Sequence, residues 1–146
     1  MSASDTMETN ILKLLFQNVD FANIGDATGL RGASTPGSLY ISLHTSDPGE
    51  TGSQASNETA YTSYARVAVA RSAAAWDVTG AVASNIAAVS FPTCTGGTAT
   101  VTHVGIGTSS SGAGTLLFSA ALAASLAVSN TVQPEFAIGQ FTVTAS

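Results

Sequence analysis

Hydrophobic and polar residues alternate along most of this chain with a period of two, the pattern of strands that bury one face. From Thr98 to Ile106, residues Thr98, Thr100, Thr102, Val104 and Ile106 fall on one face, with Ala99, Val101, His103 and Gly105 on the other. The Ser/Gly run from Thr108 to Gly114 buries no apolar surface and its glycines accept positive φ. It predicts a hairpin whose second strand starts near Thr115. Leu39, Ile41 and Leu43 alternate with Tyr40, Ser42 and His44, which predicts a strand with the first set inward and the second outward. From Tyr64 to Arg71, residues Ala65, Val67 and Val69 oppose Arg66 and Ala68 in the same way. Trp76 and Val78 mark a short strand, Val89 and Phe91 a weak one within 81–91 that stops at Pro92, and Leu126 with Val128 another. The last strand runs from Phe136 to Thr144. Its apolar phase changes across Gly139, from Phe136 and Ile138 to Phe141 and Val143, which predicts a bulge.

One stretch has a different period. Ile11, Leu12, Leu15, Phe16 and Val19 recur at helical spacing and predict an amphipathic helix of about three turns that ends near Asn18. Ser4, Asp5 and Thr6 can each cap it, and Asp5 with Glu8 resembles a capping box. A helix this short is marginal in water, so its apolar stripe docks on this domain or reaches a neighbour as an arm. The segment from Phe21 to Ser38, with Gly25, Gly29, Gly32, Pro36 and Gly37, reads as a connecting loop. Ser46 to Gly49 is a turn, and Glu50 to Thr59 an exposed polar loop. The expected organisation is an N-terminal helix and arm over residues 1–38 and a β domain over residues 39–146. About eight short strands separated by Gly, Pro and Ser turns predict a mainly β fold: two packed antiparallel sheets in a β-sandwich, with the jelly roll as one form of it.

Composition sharpens this picture. The chain has 146 residues, of which 45 % are hydrophobic and only 9 % charged, against roughly 25 % charged in ordinary soluble domains. A surface so poor in charge is covered by small neutral residues or by other protein chains, so self-association as a dimer or trimer is expected. Nine carboxylates outnumber the four cations Lys13, Arg31, Arg66 and Arg71. No nucleic-acid partner is expected, since phosphate binding needs clustered Lys and Arg. No membrane segment or secretion signal is read either, and a soluble protein made inside the cell is the expectation.

The residues that could carry chemistry are few. His44, His103 and Cys94 are scattered and are expected to hold no metal, with Cys94 a buried thiol and His103 a half-buried strand residue bonded through one ring nitrogen. No serine lies in a nucleophile elbow. The glycines of Gly105-Ile106-Gly107 and Gly107 to Gly114 resemble nucleotide loops but lack the lysine and the following helix. No catalytic role and no cofactor are expected.

Four segments carry a family likeness: Leu39-Tyr40-Ile41-Ser42-Leu43-His44-Thr45-Ser46-Asp47-Pro48-Gly49-Glu50; Tyr64-Ala65-Arg66-Val67-Ala68-Val69; Val89-Ser90-Phe91-Pro92 with Val101-Thr102-His103-Val104-Gly105-Ile106; and Phe136-Ala137-Ile138-Gly139. With Leu116-Leu117-Phe118, they make the chain after the helix resemble a family of small structural proteins of tailed bacteriophages and prophages, labelled tail fibre or virion decoration proteins. The resemblance implies a non-enzymatic role in the virion.

Within that role two places compete. The expected one is capsid decoration: a cement protein on the outer capsid surface that bridges neighbouring major capsid protein subunits and stabilises the icosahedral shell. The aromatic content is 7 %, and no stalk, heptad or collagen-like repeat marks a fibre. On this reading Ile11, Leu12, Leu15, Phe16 and Val19 form an apolar arm, and Glu50, Glu58, Ser110 and Ser111 make lateral contacts from the two loops. The alternative is a tail fibre or tail-tip module involved in host attachment.

Overall fold

The computed structural model describes residues 2–25 and 29–146. The chain is mainly β, with antiparallel sheets and one short N-terminal helix. Among the described residues there are three sheets, of four strands, three and two. The chain divides into two compact units, the first made of Met1–Ser38, Ala70–Ala88 and Phe136–Ser146, the second of Leu39–Val69 and Val89–Glu135.

In the first unit, helix α1 (Asp5–Leu12) is capped by Ser4, whose hydroxyl accepts from the Met7 amide at 3.3 Å. With Ser4 in that position, Glu8 falls one residue beyond the capping-box site. Asp5 and Glu8 instead place negative charge in the first turn, where the helix dipole favours it. The helix continues as a wider π-helical turn over Lys13–Gln17 and stops at Asn18 in the left-handed conformation, where the periodicity predicted its end. Asn18 then ties down the following chain, exchanging two 2.7 Å bonds with the backbone of Ala33. Arg71 closes the helix end by donating to the carbonyls of Leu14 and Leu15, both at 2.7 Å, and a cation there is favourable against the dipole. Residues 26–28 of the expected Phe21–Ser38 loop lie outside the described residues; Phe21 and Leu30 on either side exchange two backbone hydrogen bonds.

This helix docks on the sheet of its own unit. β3 (Trp76–Thr79), β4 (Val82–Asn85) and β9 (Thr142–Thr144) pair antiparallel in that order, with Trp76 opposite Asn85 and Val78 opposite Ala83. These four residues are buried. Phe16 meets the Trp76 ring edge-on at 4.7 Å between centroids, and Gln17 donates to the Trp76 carbonyl at 2.9 Å. Asn85 fastens the C-terminal segment: it donates to the Ala87 and Ala137 carbonyls and accepts from the Phe141 amide. The expected single strand from Phe136 to Thr144 is therefore interrupted by a turn, not a bulge. Gly139 takes φ +75° there, and Gln140 donates to the Ala137 carbonyl.

The second unit is built on four strands in the order β2 (Val67–Ala70), β1 (Ser38–His44), β6 (Ala99–Gly107) and β7 (Leu116–Val128). The expected central hairpin is present, and β7 runs on to Val128 where a separate strand was expected. Ile41 opposite Ile106 and Leu43 opposite Val104 make the apolar face. The regular alternation predicted for β6 breaks at a register shift between Val101 and His103, which allows both Val101 and Val104 to be buried. A two-stranded ladder joins β5 (Val89–Ser90) to β8 (Glu135–Phe136). Cys94 is a free, buried thiol.

Candidate partner-contact site

Two loops of the second unit, residues 46–58 and the hairpin tip 108–114, are held together by a polar network at the end of the four-stranded sheet. The turn at its start is set by Asp47, whose carboxylate accepts from the Gly49 amide at 2.8 Å, with Gly49 at φ +75°. From there the loop folds back over β1. Thr45 donates to the Asn57 carbonyl and Thr59 to the Leu43 carbonyl, and the Asn57 side chain donates to the Asp47 carbonyl.

This return covers two residues predicted to face outward. Ser42 and His44 are both 0 % exposed. The Ser42 hydroxyl lies 2.9 Å from His44 Nε2, and His44 Nδ1 lies 2.8 Å from the Ser56 carbonyl oxygen. The alternation was read correctly; the loop supplies polar cover for the outer face. Burial drives the His44 pKa below its ordinary value, against the raising effect of the Ser56 carbonyl and of Glu58. Gly105, opposite Ser42, leaves room for this pair: a Cβ there would sit 2.8 Å from His44 Nε2, Ser42 Oγ and Leu116 Cδ1. His103 lies directly opposite His44 and is bonded through Nδ1 to the Thr102 hydroxyl at 2.9 Å.

Gln54 and Arg66 join the loop to the hairpin tip. Gln54 is fully buried, donates to the Tyr40 carbonyl at 3.2 Å and accepts from the Ser109 amide at 2.9 Å. Its side chain occupies the space a Cβ would need at Gly107 and Gly114, so the glycines on each side of the tip make room for it. Arg66 grips Glu58 through two parallel bonds of 2.7 Å and donates onward to the Ser109 carbonyl at 2.9 Å and the Gly112 carbonyl at 2.6 Å. Glu58 also accepts from the Tyr64 hydroxyl, and that hydroxyl accepts from the Leu43 amide. Burial pushes the Tyr64 phenol far up, and the Glu58 carboxylate raises the Arg66 pKa further. Both tip serines, Ser110 and Ser111, are exposed, as is Glu50.

The predicted contact residues thus separate. Glu50, Ser110 and Ser111 stand on the outside of the clamped loops, whereas Glu58 is part of the clamp. In the first unit, Leu12 and Phe16 are buried within this chain, Ile11 and Leu15 are half-buried, and Val19 is 46 % exposed. Arg66, Gln54 and Tyr64 were not singled out from the sequence. One signal was available: in a chain with four cations, an arginine inside a strand-like run with an acidic residue shortly before it asks for a partner.

Among the described residues no three His, Cys, Asp or Glu side chains gather as a metal site, and no helix is long and apolar enough to cross a membrane. The second unit is a charge-poor β body whose polar loops 46–58 and 108–114 are tied together by the enclosed Arg66–Glu58 pair. The chain belongs to the podophage GP4 fiber I protein gp80 family, whose model matches residues 2–144. It is therefore a tailed-phage virion structural protein of a fibre family, in keeping with the resemblance read from the sequence. No curated protein matches it. The family favours the tail-fibre alternative over the capsid-decoration expectation.

Proposed function

We propose that this protein is a tail-fibre component that makes a structural contact, without catalysis, through the clamped loops 46–58 and 108–114. Membership of a fibre family over residues 2–144 carries this reading. The loops support it physically. Their backbone carbonyls at Ser109, Gly112, Ser56 and Asn57 are already bonded inside the chain, so little ordering entropy remains to oppose binding. Their outward side chains, Glu50, Ser110 and Ser111, are small or acidic and suit a hydroxyl- or amide-bearing surface. The Ser42–His44 pair, where a hydroxyl meets an imidazole, is buried and serves the fold.

Antibody labelling of intact virions tests the location. Label on the tail, with few copies per particle, is the expected result. Label over the shell, in proportion to the major capsid protein, would return the role to capsid cement. Replacing Ser110 and Ser111 together with Arg tests the contact: adsorption to host cells should fall while thermal stability stays unchanged. Full adsorption by that variant would remove the loops from the contact.

A further inference from the structure

The C-terminal segment of the first unit carries an apolar side chain that its local structure does not call for. Ala137-Ile138-Gly139-Gln140 is a tight turn: the Gln140 amide donates to the Ala137 carbonyl at 3.2 Å, and Gly139 at the third position takes φ +75°, as a type II turn requires. Ile138 stands at the second position, where turn chemistry favours proline or a polar residue. It is 68 % exposed, the highest value among the large hydrophobic residues described. Ile86, also exposed, stands beside it, because the Gly139 amide donates to the Asn85 carbonyl at 2.9 Å and that bond joins the peptide after Ile138 to the peptide before Ile86. The adjoining Ala87 and Ala137 are exposed too. No charged residue occurs between Asp77 and Glu135 or after Glu135.

The turn is also pinned. Asn85 is buried and donates through Nδ2 to the Ala87 carbonyl at 2.8 Å and the Ala137 carbonyl at 3.0 Å, while its Oδ1 accepts from the Phe141 amide at 2.9 Å. The Ala137 amide donates to Gln140 Oε1 at 2.7 Å, and the rings of Phe136 and Phe141 pack at 4.9 Å between centroids where the chain enters and leaves the turn. A side chain presented on a backbone held this way needs little further ordering to bind. Single exposed aliphatic residues are ordinary on a protein surface. Two isoleucines side by side on a pinned, uncharged turn are a different case.

Shape and charge select what covers them. A Cβ on Gly139 would meet nothing within 4 Å, so the turn projects into open space. A second copy about a two-fold axis would set one projection against another, whereas an isologous contact needs a surface that fits itself. A charged partner would give up water here and find nothing to pair with. A hollow lined by apolar side chains satisfies both conditions. Family membership supplies the kind of molecule that carries it, since a virion structural protein is held in the particle by contact with other virion proteins. We propose that Ile138, with Ile86 beside it, is an anchor that seats in an apolar pocket of a different virion protein and fastens this chain in the particle. The anchor rests on the virion family alone, not on the tail location or on loops 46–58 and 108–114, so either reading can fail without the other.

Phage carrying Ile138→Asp in this protein provide the test, with purified virions immunoblotted for it against the major capsid protein. The retained amount should fall at least about tenfold, the scale on which a central anchoring side chain is lost. The isolated variant should keep the parent's far-UV spectrum and Trp76 emission. Val19→Asp, at an exposed apolar position of the same unit, is the control and should be retained. Should Ile138→Asp fold poorly, Ile138→Gln takes its place. In intact particles, a photo-activated cross-linker at Ala87 should join this chain to a second virion polypeptide. Retention of the Ile138 variant at the parent level would overturn the proposal, and lowered adsorption by such particles would turn Ile138 toward the host instead. Equal loss of Val19→Asp, or cross-links from Ala87 that reach only another copy of this chain or nothing, would overturn it as well.

Discussion

Arg66 and Glu58 meet through two parallel bonds of 2.7 Å, with side-chain exposures of only 2 % and 17 %. A pair this enclosed gains little net stability over an apolar contact, because both charges gave up water to form it. Its value lies in direction. The planar guanidinium has donors to spare after binding the carboxylate, and they reach the carbonyls of Ser109 and Gly112 in the hairpin tip.

Removing Arg66 leaves the Glu58 carboxylate half-buried and the tip untied. Arg66→Ala should therefore lower unfolding free energy by about 3 kcal/mol, the scale on which a buried pair loses one partner. Arg66→Lys keeps the charge but loses the fork, so an intermediate loss is expected. Urea denaturation followed by far-UV circular dichroism checks both. Equal stability of Arg66→Ala and the parent would show that the pair does not hold the loops.

Gly105 sits where β6 passes beneath the Ser42–His44 pair, and a methyl group there would press on both of them and on Leu116 at 2.8 Å. None of the three is at the end of a long flexible chain. Gly105→Ala should cost about 1–3 kcal/mol, as overpacking does elsewhere. Gly112→Ala, also in the second unit, meets nothing within 4 Å but has φ +71°, so its smaller penalty is backbone strain alone. Thermal melts of the two variants separate the mechanisms: Gly105→Ala should melt lower.

The strands were legible in the sequence wherever a period of two met a single buried face, as in Leu39, Ile41 and Leu43. The helix end near Asn18 was legible for a similar reason, because the last apolar residue at helical spacing, Val19, sits beside it. What period cannot show is which loop returns to cover a face. Ser42 and His44 read as outward and are outward in phase, yet residues 46–58 bury them. The same limit hid Arg66, whose partners lie 8, 43 and 46 residues away in the chain. Gly139 was misread because a turn and a bulge shift apolar phase alike, and the Asn85 side chain that decides between them comes from another strand.

Phe16 and Trp76 offer a direct reading of helix docking. Both are fully buried in the first unit, and Trp76 is the sole tryptophan. Phe16→Ala empties one side of the indole and should destabilise by about 3–5 kcal/mol. Its emission should shift to the red in the folded state as water reaches the ring. If the variant keeps the parent's emission maximum and stability, the helix is not seated on β3.

Acid should weaken the second unit through His44. Its folded pKa lies below the ordinary 6.5 because burial disfavours the imidazolium. In the unfolded chain the ring is exposed and titrates near the ordinary value. Between the two pKa values the unfolded state therefore binds more protons than the folded one, so stability rises with pH across that window and is lost as pH falls below 6.5. The surroundings set the size of the effect. Glu58 favours the charged ring, while Arg66 and His103 oppose it. Protonation need not break the bond to Ser42, whose hydroxyl can turn from donor to acceptor, so the loss should be gradual. Urea midpoints measured from pH 7.5 down to pH 5 should fall steadily in the parent. His44→Gln, which has no charge to gain, should show a shallower decline. Parallel declines in the two proteins would assign the acid sensitivity to other groups.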